Sequence, residues 1–220
     1  NGVIIHKTKP ETLAKLDWVD VSLYPGTIPD SATIAANAKE VCGKLDLRFS
    51  LFDKPEFRYQ IIDEPISDRD TVQAIFDSCR MAHGGWDIFH DGCHTIYRGH
   101  YYRCNRPAYT QRYLESQGKA PEGLPDFKEV DGVDLHQPNL HQRLLDYLLS
   151  EKPLEACKWC LRICGIKQPH RMMSRDEVKL RNAPSYALAE VLDQETLAED
   201  VEVLRPIKAR TRTQLKRAAR

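Results

Sequence analysis

The sequence predicts an α/β fold followed by a smaller cysteine-rich region. Three observations carry this. Over residues 1–62, strand-like stretches exchange with stretches of helical period, and a helix between two strands implies that the strands pair in parallel. Past Gly84-Gly85 that alternation stops. Five of the seven cysteines, Cys93, Cys104, Cys157, Cys160 and Cys164, then fall in the second part, clustered or beside turns.

The elements follow in order. Val3–Ile5 reads as the stub of a strand. Pro10 suits a helix start, and Glu11–Leu16 give a short apolar period. Trp18–Tyr24 alternates like a strand and stops at Pro25-Gly26. Asp30 is placed to cap a helix with Ile34, Ala38 and Val41 on one face, and Gly43 to end it. Leu45–Phe52 reads as the next strand, with Leu45, Leu47, Phe49 and Leu51 on one side, and Phe57–Ile62 as another. Ser67 precedes a helix whose inward face is Val72, Ile75, Phe76 and Cys79. Cys93–Cys104 has the form of a hairpin, Thr95-Ile96-Tyr97 and His100-Tyr101-Tyr102 about a turn at Arg98-Gly99. Residues 118–138 read as a long loop rich in Gly and Pro. Asn139–Ser150 is a helix with Leu140, Leu144, Leu145 and Leu148 as its apolar face. Pro153–Leu161 suggests a short helix, and Ser174-Arg175-Asp176-Glu177 has the form of a capping box. No internal repeat is present.

Composition bounds the function. The chain of 220 residues is 41% hydrophobic and 29% charged with zero formal net charge, which suits a packed domain or two and argues against wholesale disorder. It holds no run of about 18 apolar residues for a membrane span and no signal-peptide pattern at its start. The opening Asn1-Gly2 reads as a segment of something longer. After Glu202 no acidic residue occurs, while Arg205, Lys208, Arg210, Arg212, Lys216, Arg217 and Arg220 do. This tail is expected to be solvated and frayed, and no nucleic-acid motif accompanies it.

An odd cysteine count and no secretion signal argue against a disulfide framework and for a cytoplasmic protein with metal-ligating thiols. Cys42 and Cys79, on or beside apolar helix faces, read as buried core thiols. Cys93 and Cys104 bracket the hairpin, so its arms present both sulfurs at one end. Cys157-Lys158-Trp159-Cys160 is a C-x2-C pair, the spacing that sets two thiolates in neighbouring coordination positions. Cys164 follows four residues on. Tetrahedral zinc on four cysteines, or on three and one of His94, His100 or His170, fits this spacing as well as an iron–sulfur cluster does. His136 and His141, like those three, are expected on the surface or behind the ligands.

The order of these motifs resembles radical S-adenosylmethionine enzymes with a C-terminal SPASM or twitch auxiliary-cluster domain. Asn1-Gly2 and the strand ending Val21-Ser22-Leu23 are similar to the stretch after the third barrel strand and the fourth strand of that fold. His90-Asp91-Gly92-Cys93 through Cys104-Asn105-Arg106-Pro107 resembles the twitch hairpin, and Ala156–Cys160 its closing C-x2-C. The likeness spans roughly residues 1–170. It implies the C-terminal part of a partial (β/α)6 barrel over 1–83, a twitch-like domain of hairpin and helices over 84–172, and a helical, basic tail over 173–220. It further implies a [4Fe-4S] cluster on Cys93, Cys104, Cys157 and Cys160, with Cys164 as an alternative ligand or as a hydrogen-atom donor, and Ser22 against S-adenosylmethionine. Lys158, Arg103 and Arg106 would favour a reduced cluster. The whole enzyme would be an oxidoreductase, dehydratase or epimerase acting by hydrogen abstraction on a small polar, sugar-like molecule, with flavodoxin or ferredoxin as redox partner. The family's C-x3-C-x2-C motif is absent from these residues, so this segment alone is expected to be inactive. The rival functions are a zinc-stabilised binding module and a simple iron–sulfur electron carrier.

Overall fold

A computed structural model of the chain describes residues 2–26, 29–83, 94–171, 174 and 185–218. They fall into two compact units, Asn1–Phe57 with Lys167–Lys179, and Arg58–Ile166 with Leu180–Arg220.

In the first unit Trp18–Leu23 and Arg48–Asp53 pair in parallel, in register from Trp18 opposite Arg48 to Leu23 opposite Asp53. The helix Ser31–Lys44 connects them, as a parallel crossover requires. The Asp30 carboxylate accepts from Thr33 N at 2.8 Å and caps it. Gly43 does not end it; the helix runs to Lys44, and Asp46 takes the left-handed position beyond at φ 50°. Ile34, Ala38 and Cys42 from the helix meet Val21, Leu23 and Leu47 from the strands in one core. Cys42 is thus a core thiol, as its helix face predicts. The Val3–Ile5 strand does not form. Gly2 adopts φ 65° and its carbonyl accepts from Ile5 N at 3.0 Å, so the chain turns into a 3-10 helix over Ile5–Lys7. The next predicted helix shortens to Pro10–Leu13, and the strand expected over Phe57–Ile62 to Glu56–Arg58.

In the second unit the helix Arg69–Asp77 is capped by Asp68, one residue past Ser67, which accepts from Thr71 N at 2.9 Å. It breaks before Cys79. Ser78 turns its hydroxyl back to Ile75 O at 2.9 Å, the local bond by which serine competes with helix propagation. A single turn, Arg80–His83, follows. Thr95–Tyr97 and His100–Tyr102 form the expected hairpin, and Arg98 (φ 49°) and Gly99 (φ 78°) supply the two left-handed residues of its tight turn. The segment 118–138, expected as loop, adds the helix Phe127–Asp131 and the strand Val133–Asp134, which pairs with His100–Tyr101 as a third strand. Arg106–Ser116 is a further helix. Leu140–Leu149 is helical as predicted, but its leucines are only half-buried. Its main ties are Tyr147 and the carbonyls at its C-terminal end. The predicted helix Pro153–Leu161 is a 3-10 turn over Glu155–Trp159.

The basic tail differs from expectation. Gln194–Ala218 is one helix, and Leu197 and Leu204 are buried. Lys208 pairs with Asp77, Arg212 with Glu151, and Arg205 with Glu202 at 2.8 Å. An apolar stripe and acidic neighbours elsewhere in the unit hold it down. Beyond Ser174, the residues of the predicted capping box lie outside the described residues. Among the described residues no helix is long and apolar enough to cross a membrane.

Candidate metal centre

Three of the four expected ligands come together in the second unit. Cys104 follows the last hairpin strand and is buried. Cys157 lies in the 3-10 turn Glu155–Trp159, and Cys160 leaves it in an extended conformation, bridged to Ile61. Backbone bonds fix this turn: Ile66 N to Lys158 O at 2.8 Å, Ile62 N to Trp159 O at 3.1 Å and Leu161 N to Gln60 O at 3.0 Å. Cys93 lies outside the described residues. A fourth thiol is nevertheless present, that of Cys79 in the helix break. Cys79 and Cys104 share one buried cluster, and Cys157 packs against it.

The thiols act on one another. Burial pushes Cys104 up to about 12, and Cys79 and Cys160 add to the shift. Burial raises Cys157 well above its ordinary range, with Cys104, Cys160 and Cys79 contributing. Cys160 is raised by burial, and Cys79 adds to it. Every pair among Cys79, Cys104, Cys157 and Cys160 is therefore within electrostatic reach. Among the described residues no three Cys, His, Asp or Glu side chains converge tightly enough to hold a metal ion. The four sulfurs are neighbours, not a closed shell.

Three guanidinium groups surround them. Arg103 is 2% exposed, and it feels Cys104, Cys157 and Cys79. Among the described residues its donors go to backbone carbonyls: Ala82 O at 2.9 Å, Ser150 O at 3.0 Å, and Tyr147 O and Leu148 O at 3.3 Å. It lies over the Phe76 ring at 5.1 Å. It thereby caps the C-terminal end of the Leu140–Leu149 helix, where orphan carbonyls and the negative end of the dipole favour a cation. Arg106 and Arg162 lower the Cys160 thiol. Arg106 bonds to Gln60, and Arg162 is held at φ 48°, a backbone conformation costing a non-glycine residue about 1 kcal/mol. The Nε atoms of both, and Trp159 Nε1, are buried without a hydrogen-bond partner among the described residues. None of the three arginines pairs with a carboxylate among the described residues. Lys158 is different, since it pairs with Glu155.

Asp131 holds the ligand turn in place. Its carboxylate, 2% exposed, accepts from Glu155 N at 2.6 Å and Ala156 N at 2.7 Å, the free amides that open the turn. Burial raises it to about 6 against those two bonds. Its carbonyl accepts from Tyr147 Oη at 2.7 Å, and Tyr147 Oη accepts from Arg103 N at 3.2 Å. One chain of bonds thus runs from the residue before Cys104 to the turn carrying Cys157.

A fifth thiol, that of Cys164, is also within electrostatic reach of Cys79. Cys164 is fully buried among Ile62, Ile75 and Leu161, its sulfur 3.1 Å from Ser78 Oγ, and burial raises it to about 11. Ser22 lies in the first unit, opposite Phe52 in the parallel pair. His94 Nδ1 bonds to Tyr101 Oη at 2.6 Å and His100 Nδ1 to Arg98 O at 3.2 Å; His170, in the first unit, stacks on Tyr24 at 5.0 Å. His136 and His141 are exposed.

Cys79 lies in a buried apolar cluster, as its spacing predicts, but beside other thiols; sequence reasoning missed Asp131, Tyr147 and Arg162. Cys79 completes an apolar helix period and so reads as core. Asp131 stands in a stretch read as loop. No protein-family model and no curated protein matches the chain.

Proposed function

We propose that this chain is the C-terminal part of a radical S-adenosylmethionine enzyme and binds an auxiliary [4Fe-4S] cluster through its clustered cysteines. The observation that carries this reading is a largely buried nest of thiols with Arg103, Arg106 and Arg162 beside it, none of them paired with a carboxylate among the described residues. The buried Arg103 and the half-buried Arg106 and Arg162 beside neutral thiols would leave positive charge unbalanced there. Four thiolates holding a cluster of net negative charge balance it. The orphaned N–H groups of Arg106, Arg162 and Trp159 are suited to bond cluster or cysteine sulfur, and such bonds help set cluster potential. Four thiols are the donor type such a cluster takes, although the sulfurs do not close into a shell here.

When bound, the cluster would supply one-electron chemistry. The chain's own residues then bind and orient it: Asp131 fixes the Cys157 turn, Arg103 ties the hairpin end, and Trp159, edge-on to Phe127 at 5.4 Å, excludes water. The parallel strands of the first unit would belong to a partial (β/α)6 barrel, with Ser22 near S-adenosylmethionine. The substrate would be a small polar, sugar-like molecule, the redox partner a flavodoxin or ferredoxin, and the setting the cytoplasm.

The test is anaerobic expression followed by iron, sulfide and zinc analysis with a visible spectrum. About four irons and four sulfides per chain with broad brown absorption support the cluster. One zinc in a colourless protein supports the zinc-stabilised binding module, because four thiols suit that ion equally. Incubated with dithionite and S-adenosylmethionine, this chain alone is expected to release no 5′-deoxyadenosine above the blank.

A further inference from the structure

We infer that Cys79 is a ligand of this centre and, with Cys104, Cys157 and Cys160, completes a four-sulfur set, in the place the hairpin pattern gives to Cys93. The inference rests on the reading of the thiol nest as a metal-binding site and deepens it.

Position argues first. Cys79 does not continue the helical face that its spacing suggests. The helix stops just before it, and the chain spends two bonds on its carbonyl, from Ala82 N and His83 N, both at 3.1 Å. The Ala82 carbonyl in turn accepts from Arg103, the residue before Cys104. One buried side chain thus holds the turn that follows Cys79 and the end of the hairpin together. That arrangement sets two sulfurs from distant stretches at one place by backbone anchoring, as ligand positions require.

Comparison within the molecule argues second. Cys42 is what a packing thiol looks like here: it is surrounded by Ile34, Ala38 and Leu47 and no other cysteine. Cys79 instead shares one buried cluster with Cys104, and Cys157 packs against that cluster. Thiols brought from distant stretches of the chain to one place are the donor type that a metal or an iron–sulfur cluster takes. Cys164, fully buried and bonded to Ser78, is already satisfied.

The test compares Cys79→Ala and Cys93→Ala in the full chain, prepared anaerobically, by iron, sulfide and zinc content and by electron paramagnetic resonance of the dithionite-reduced protein. Circular dichroism checks that each folds. Cys79→Asp is added because an oxygen ligand at this position changes the resonance spectrum only if residue 79 touches iron. The expected result is that Cys79→Ala loses at least one iron in four, Cys79→Asp keeps iron with a shifted spectrum, and Cys93→Ala matches the parent. A loaded parent whose Cys79→Ala variant keeps its full metal, with Cys79→Asp spectroscopically unchanged, overturns this inference alone. If the parent holds zinc, zinc content decides between the same variants. A parent that holds neither metal overturns the underlying reading and this inference with it.

Discussion

Removing the Arg103 guanidinium should cost the second unit much of its stability. In Arg103→Met the stem is replaced at similar volume, and what disappears is the fork. Five N–H contacts to four carbonyls go: Ala82, Tyr147, Leu148 and Ser150. Tyr147 O keeps its bond from Ser150 N at 3.3 Å, and each of the other three acceptors costs about 1 kcal/mol, more because the lost donor is charged. Loss of the cation at the helix C-terminus adds about 0.5–1 kcal/mol. Release of the guanidinium from burial offsets part of this. A net loss of about 3–5 kcal/mol is expected, a large fraction of a typical domain's 5–15 kcal/mol. Arg103→Lys keeps the charge but brings three donors from one point, so it should fall in between. The assay is denaturant unfolding followed by tryptophan fluorescence, with metal content measured alongside and the slope m compared between variants. If Arg103→Met unfolds within about 1 kcal/mol of the parent at unchanged m, the claim that this arginine satisfies the helix end is wrong.

His83 is held neutral by burial, its pKa lowered to about 3 from an ordinary 6.5, with Nε2 2.8 Å from Phe76 O. A depressed folded value means stability that is full above pH 6.5 and is lost as pH falls toward 3, by up to about 5 kcal/mol; acid titration of His83→Gln should lack this component of the slope, and an unchanged slope would refute it. Asp131→Ala frees two turn amides and should weaken metal binding about 10–100-fold in chelator competition, with Asp131→Asn milder because one acceptor remains; equal affinity in all three would separate Asp131 from the site. Gly165→Ala should unfold the second unit or lower its midpoint steeply, since a Cβ there would stand 1.6 Å from Tyr59 O; a soluble variant with the parent's melting point would contradict that backbone approach.

Much of the fold was legible because local signals and tertiary packing agree. The Asp30 cap, the apolar face of Ser31–Lys44 and the Arg98-Gly99 turn each act within a few residues, and each forms where the pattern places it. The misreadings come from longer range. Val3–Ile5 has strand composition, but the positive φ at Gly2 turns it. The helix over Phe127–Asp131 is too short to show a period. The leucines of Leu140–Leu149 have a clear stripe yet stay half-buried, because the side chain that anchors this helix is Arg103, some forty residues away. In the site, the C-x2-C pair and Cys104 were visible as spacing. Cys79 was hidden by a helical period that the fold abandons one residue too early, at Ser78. The pairing of Lys208 and Arg212 with acids more than sixty residues away is likewise invisible in a run of like charges.

The order in which the four thiols occur along the chain has a consequence for biosynthesis. Cys104 leaves the ribosome about fifty residues ahead of Cys157, and Cys79 nearly eighty. At synthesis rates of 5–20 residues per second, about fifty residues is a wait of roughly 3–10 s. During that wait the early half of the nest exists without the later half, and without Asp131 and Tyr147 to order it. Two reduced thiols, one after the helix Arg69–Asp77 and one after the hairpin, are then open to oxidation or to the wrong ion. On the proposed four-thiol centre, maturation becomes a problem of timing, in which the early pair is kept reduced and empty until the chain is nearly finished.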